Sequence, residues 1–195
     1  HGITATVISQ DLSTPTAAAD VHATLQSGGI HVDVLVNNAG FNVYGPFAET
    51  DQAEELRMLA VNVVALTSLT KLLLPGMLAR GFGRILNVAS TASFSPAPLD
   101  STYGATKAYV LSLSEALAEE LRGTGVTVTA LCPGPTDTDF ARRAAMLDTS
   151  IFTGRLMTAR DVAAIGYRAL ARGKTIAIAG LANRALVLVI RFSPR

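Results

Sequence analysis

Arg84-Ile-Leu-Asn-Val88, a helical pattern from Ser101 to Arg122, and Val126-Thr-Val-Thr-Ala-Leu131 follow one another in the chain. The two short runs are rich in β-branched and aliphatic residues and nearly continuously apolar, as strands covered on both faces are. Between them lie more than a dozen residues of helical pattern, stopped by Gly123-Thr-Gly125. That order is a strand, a crossover helix and a second strand, which are parallel neighbours in one sheet.

The pattern extends in both directions. Upstream, Ile3-Thr-Ala-Thr-Val-Ile8 reads as a strand, and Thr14-Pro15 opens a helix with Thr14 as its N-cap, ended by Ser27-Gly28-Gly29. Val32-Asp-Val-Leu-Val36 is a second strand, running into Asn37-Asn38-Ala39-Gly40. Asp51 to Arg80 reads as a long helix, with a kink or break at Pro75-Gly76. Downstream, residues 136–158 have no clear period, Thr158 caps a helix running through Arg172, and Thr175-Ile-Ala-Ile-Ala179 is a last short strand. The expectation is one α/β domain over 1–195, a doubly wound parallel sheet with helices on both faces. Ala185 to Ile190, bracketed by Arg184 and Arg191, is read as a strand or helix covering the core, with a membrane-surface role as the alternative.

Composition agrees and excludes several classes. The 195 residues are 49% apolar and carry a net charge of +1, so a large core is available and no global basic field points to nucleic acid. One cysteine excludes an internal disulfide framework; with no signal-peptide pattern at the start it fits a reducing, cytoplasmic setting. Apolar runs are interrupted short of the roughly 20 residues that span a bilayer. His1, His22 and His31 lack metal-ligand spacing, so no metal site is expected. Arg172-Gly-Lys-Thr175 lacks the upstream glycine of a phosphate loop. Cys132, at a strand end, is read as a small buried apolar residue.

Ligands of open parallel sheets bind beyond the carboxyl ends of the strands. Asp11, Asn37 to Gly40, Ser90, and Pro133 to Thr138 all follow expected strands. Tyr103 and Lys107 are four apart on the crossover helix and share a face. A lysine ammonium beside a phenol favours the phenolate and is expected to lower its pKa from about 10. A serine hydroxyl at Ser90 would then hold a carbonyl or alcohol oxygen while Tyr103 exchanges a proton with it.

With Asn37-Asn-Ala-Gly40 after a strand, Ser90 thirteen positions before Tyr103, and Pro133-Gly134 after the next strand, the chain resembles the short-chain dehydrogenase/reductase family. Leu131 to Phe140 is similar to the bacterial branch that includes DltE-type reductases. The resemblance implies a Rossmann-like fold and an NAD- or NADP-dependent oxidoreductase interconverting a carbonyl and a secondary alcohol. It implies Tyr103 as acid/base, Lys107 as the residue that tunes it and holds the nicotinamide ribose, Ser90 on the substrate oxygen, and Asn62 in a water-linked proton relay. Around the cofactor it implies Asp11 and Leu12 at the adenine, Asn38, Ala39 and Gly40 along the backbone approach, and Pro133, Gly134 and Thr138 or Thr136 at the nicotinamide. Asn37 either steadies the sheet or meets the cofactor. Residues 138–158 are expected to form a substrate lid, whose Phe140, Met146, Leu147, Ile151 and Phe152 suit an apolar substrate. A homo-oligomer is implied for a complete chain.

Relative to that family the Rossmann-like sheet is incomplete at the N-terminus. No Gly-x-x-x-Gly-x-Gly segment precedes Asp11 in these 195 residues, so they are expected to lack the family's first strand, phosphate-binding turn, first helix and second strand. The strand at residues 3–8 is then expected to slide into the central vacancy or to remain a loose edge. A catalytically inactive or partner-binding remnant of the same fold is the alternative to the enzyme.

Overall fold

The computed structural model describes residues 2–140 and 156–192, without the side chain of Arg191. Four parallel strands form its main sheet in the order β1-β2-β3-β6: β1 (Val34–Asn37), β2 (Gly83–Val88), β3 (Val126–Cys132) and β6 (Ile176–Ile178). Helices α3 (Leu66–Arg80) and α4 (Ser101–Glu120) pack on the sheet from one side, α5 (Ala159–Ala171) from the other. A second, two-stranded sheet joins β4 (Thr136–Asp137) to β5 (Met157–Thr158). Helix α1 (Ala17–Ser27) packs on α3, and α6 (Leu181–Phe192) ends the described chain.

The two-residue period of the strands sorts the core. Ile85 on β2, and Val126, Val128, Ala130 and Cys132 on β3, face α3 and α4, where they meet Met77, Val110, Leu111 and Leu121. Leu86 and Leu131 point the other way, onto Val162, Ala169 and Leu170 of α5. The sheet is therefore doubly wound, as the alternation of strand and helix patterns requires.

Three expectations need correction. Residues 3–8 form no strand: Ile3 and Val7 are more than four-fifths exposed, and no ladder partner reaches them. The free side of β1 is correspondingly open, with Val34 and Val36 half exposed. The residues have the β-branched composition of a strand, but composition cannot supply the neighbour whose hydrogen bonds a strand needs. Second, α1 begins later, with Thr16 rather than Thr14 at the N-cap and no side-chain cap; the Thr14 hydroxyl instead donates to the Asp11 carbonyl (3.0 Å). Third, the long helix does not break at Pro75, which sits inside α3. It runs from α2 (Gln52–Leu59), capped by the Asp51 carboxylate on the Glu54 N–H, through a π-helical turn at Ala60–Ala65 into α3. The span Gln52–Arg80 has a mean hydropathy of 1.6 in its most apolar stretch and is long enough to cross a membrane by length and composition. Here Met58, Asn62, Leu66 and Met77 along it are buried.

A polar ladder ties the centre together. Asn37 ends β1 directly opposite Asn87 on β2. Its amide donates to Asn87 Oδ1 (2.8 Å) and to Thr70 Oγ1 on α3 (3.1 Å). Asn87 Nδ2 donates in turn to Ser114 Oγ on α4 (2.9 Å), whose hydroxyl donates to the Val110 carbonyl. All these side chains are buried. Asn87→Ala strips partners from both Asn37 and Ser114, and we expect it to lower unfolding free energy by about 2–4 kcal/mol in urea titration, since each stranded polar group costs about 1–3 kcal/mol.

Candidate active site

The carboxyl ends of β2 and β3 and the first turns of α4 converge on one place. Ser90 follows β2 and caps a short 3-10 turn (Thr91–Phe94), its hydroxyl accepting from the Ala92 N–H (3.1 Å). Ser93 completes the cap: its hydroxyl accepts from the Ser90 N–H (3.3 Å) and donates to the main-chain carbonyl of Lys107 (2.8 Å). Ser93 thus fixes the Ser90 loop to the helix that carries Tyr103 and Lys107. The spacing Ser90-x-x-Ser93 is the sequence signal for that link, because a cap and its third residue bond reciprocally.

Tyr103 and Lys107 meet as their spacing requires, with Lys107 Nζ 5.5 Å from the phenol ring centroid. Lys107 is buried and its ammonium donates to the Val88 carbonyl at the end of β2 (2.8 Å). No carboxylate forms an ion pair with it among the described residues. Burial lowers its pKa to about 8. The same burial pushes Tyr103 up to about 12; the neighbouring Ser90 hydroxyl pulls the other way and the Asp100 charge adds to the rise. The expected lowering of the phenol's pKa is therefore overturned in this arrangement. Desolvation, the largest cause for each group, disfavours both charged forms.

Asn62 faces the same spot from the π-helical turn. Its Oδ1 accepts from the Phe41 N–H (3.1 Å), and its Nδ2 donates to the Phe41 carbonyl (3.0 Å) and to Thr106 Oγ1 on α4 (3.2 Å). The amide clamps the loop after β1 onto the helix pair. Gly40 lies against this clamp: a Cβ there would stand 3.0 Å from Asn62 Oδ1 and 3.5 Å from Lys107 Nζ. Absence of a side chain leaves the backbone of Asn38, Ala39 and Gly40 exposed next to the lysine.

The remaining residues divide. Pro133 is brought to the serine loop, its carbonyl accepting from the Thr91 N–H (2.8 Å). Gly134 packs so closely on Asn183 of α6 that a Cβ would clash at 2.5 Å. Thr136 donates to the Gly134 carbonyl, and Thr138 accepts from the Phe140 N–H, so both hydroxyls brace their own loop. Phe140 lays its ring 5.6 Å from that of Tyr103, forming an apolar wall. Asp11 is exposed and turns onto Ser13, accepting from its N–H (2.9 Å) and hydroxyl (2.8 Å), contacts that hold its carboxyl below the usual range. Leu12 beside it is half-buried. Asn37 belongs to the sheet ladder, the structural of its two readings. Met146, Leu147, Ile151 and Phe152 of the expected lid lie outside the described residues, as does most of 138–158. Cys132 is buried, and its thiol is pushed up to about 12 by that burial.

Two features were not read from the sequence. Asn42 Nδ2 donates to the buried Asp100 carboxylate (2.7 Å), whose pKa burial raises, and so joins the β1 loop to the start of α4. Beside it Leu99 takes a left-handed backbone (φ 67°), and its carbonyl accepts from the Gly45 N–H (2.8 Å). Neither residue type carries a pattern that announces a long-range partner.

Comparison with known proteins gives concordant results. The family described as short chain dehydrogenase matches residues 1–146. The chain is 44% identical over 103 residues to "Ketoacyl reductase HetN" of Nostoc sp., covering 53% of this chain and 36% of that protein. It is 42% identical over 130 residues to "Uncharacterized oxidoreductase YvrD" of Bacillus subtilis, covering 66% and 49%. The chain thus spans about half the length, or less, of these curated relatives. Among solved structures, a short-chain dehydrogenase from Sphingobium yanoikuyae in complex with NADPH superposes with a TM-score of 0.80 at 31% identity, over 92% of this chain and 70% of that one. These matches reach the family and do not single out a DltE-like branch.

Proposed function

This chain belongs to the short-chain dehydrogenase family, and on that premise we propose that it serves NAD(P)-dependent interconversion of a carbonyl and a secondary alcohol, with Tyr103 as the proton-exchanging group. One observation carries the reading: a phenol, a buried ammonium with no ion-paired carboxylate among the described residues, and a strand-end hydroxyl lie together at the carboxyl edge of the sheet.

The residues present suit a pyridine nucleotide. Lys107 spends one N–H on Val88 and has two more, suited to the paired hydroxyls of a ribose. The glycine at position 40 opens the main chain beside it. Asn38, Ala39 and Gly40 would flank the ribose held by Tyr103 and Lys107; Pro133, Gly134, Thr136 and Thr138 would border the nicotinamide, and Asp11 and Leu12 the adenine. When bound, the nicotinamide supplies the hydride. The NADPH complex of the Sphingobium yanoikuyae relative supports this cofactor class.

For carbonyl reduction the chain's own part is as follows. Ser90 donates to the substrate oxygen and polarises it, and Tyr103 delivers the proton to that oxygen. Burial pushes the phenol up to about 12 and so favours its protonated, donating form, which suits reduction. Lys107 and Asn62 would connect the phenol to water. Phe140 against Tyr103 favours an apolar small-molecule substrate. A homo-oligomer belongs to the proposal too, supported by exposed Val64 and Tyr109 on adjoining helices held together by the Thr67–Tyr109 hydrogen bond.

NADPH and NADH fluorescence titration of a protein carrying this chain, followed by turnover with apolar ketones and ketoacyl thioesters, tests the reading. The expected result is saturable binding of one nucleotide and nucleotide oxidation that depends on the carbonyl compound. Failure to bind either nucleotide together with no turnover would sink it.

A further inference from the structure

Positive charge is concentrated at one end of this sequence. From Leu156 to Phe192 there are six lysines and arginines (Arg160, Arg168, Arg172, Lys174, Arg184 and Arg191) and a single carboxylate, Asp161, although the whole chain has a net charge of only +1. The fold gathers four of the six. Arg168 and Arg172 on α5, Lys174 ahead of β6, and Arg184 on α6 line one cavity of about 660 Å³. Its lining also includes the apolar Ile176, Val187 and Leu188. The ion pairs among the described residues all lie elsewhere, so none of the described carboxylates forms an ion pair with this cluster.

Helix α6 forms one wall, Arg184 Nε donating to the Ile178 carbonyl of β6 (3.1 Å) while Val187 is buried. The face of α6 adjoining that wall is apolar and exposed. Leu181, Ala185, Leu188 and Phe192 recur at helical spacing and form one stripe. Leu181 and Phe192 are at least four-fifths exposed, and Leu188 is 58% exposed. Leu188 belongs to the stripe and to the cavity, so the apolar strip and the cations adjoin.

We propose that this face docks on the surface of an anionic phospholipid bilayer, with the α6 stripe in the headgroup boundary and the four cations over lipid phosphates. Charge complementarity selects that occupant. Cations beside an apolar helical stripe match a surface that is negative outside and apolar just beneath. A second copy of the chain on this face would set the same uncompensated cations against each other across a two-fold axis. The twelve described residues of α6 rise about 18 Å against a hydrocarbon core of about 30 Å, a length that suits lying in the headgroup boundary. The proposal does not depend on the hydride chemistry.

The sequence contains no tryptophan, so Phe192→Trp introduces a single reporter on the stripe. With vesicles of phosphatidylcholine containing about 30% phosphatidylserine we expect blue-shifted emission and co-sedimentation at least about tenfold stronger than with phosphatidylcholine alone, weakening as salt rises. The triple variant Arg168→Glu, Arg172→Glu, Lys174→Glu is expected to lose that binding with an unchanged far-UV circular dichroism spectrum. If it does not fold, Leu188→Glu, on an exposed position, provides the second variant and is expected to lose binding as well. Equal binding to neutral vesicles, an unshifted emission, or a dimer in gel filtration that Leu188→Glu dissolves while no vesicle binding occurs would each overturn the proposal.

Discussion

Tyr103→Phe is expected to lower kcat for carbonyl reduction by about 10²–10⁴-fold, the range general acid catalysis contributes. The substitution deletes one hydroxyl and keeps the ring that packs at 5.6 Å on Phe140. Stability should therefore hold, and nucleotide affinity should stay within about tenfold, the most a single neutral hydrogen bond accounts for. A collapse of kcat with near-constant nucleotide binding is the signature of a proton donor. Unchanged kcat in the variant would remove Tyr103 from the mechanism.

Lys107→Met is expected to separate stability from function. Burial takes the lysine from 10.5 to about 8, a folding cost of roughly 3 kcal/mol at neutral pH. Methionine fills similar volume without charge but leaves the Val88 carbonyl without its donor, which returns about 1 kcal/mol. The variant should thus unfold at higher urea, by about 1–2 kcal/mol at pH 7, while turnover falls by about 10²-fold or more as the ribose and phenol lose their cation. The sign with pH follows from linkage. Between about 8 and 10.5 the unfolded chain holds a proton that the folded one has released, so the native protein gains stability as pH rises through that window and the variant does not. Urea titrations at pH 7 and pH 9.5 should show the variant's advantage shrinking. An advantage equal at both pH values would show that the ammonium carries no burial cost.

Much of this was legible in the residues because it is local. Strand period and helix spacing fix which way Ile85, Leu86 and Leu131 face, and a four-residue step on one helix brings Tyr103 to Lys107 whatever the rest of the fold does. Ser90 and Thr158 were legible as positions at element boundaries, where backbone N–H groups lack partners. What stayed hidden depends on partners far along the chain. Ile3 to Ile8 has strand composition and no strand, since a ladder is a property of two segments. Asn42 and Asp100 are ordinary loop residues until folding pairs them. The lysine beside Tyr103 is visible in the sequence, whereas the desolvation that raises the phenol's pKa is set by everything packed around both.

The π-helical turn at Ala60–Ala65 has a consequence for how the long helix meets the sheet. Met58, Asn62, Leu66 and Thr70 step by four residues, and in a regular α-helix that step drifts about 40° each time, so Met58 and Thr70 would diverge by about 120°. The wider turn unwinds the drift and brings the four onto a common meridian, with Asn62 at its midpoint. Its Ala-Val-Asn-Val-Val-Ala sequence betrays none of this, which is why Pro75 was the more conspicuous suspect. The helix works as two rods joined by a phase shifter, and losing one residue from the joint would rotate everything beyond it by about a quarter turn relative to Phe41.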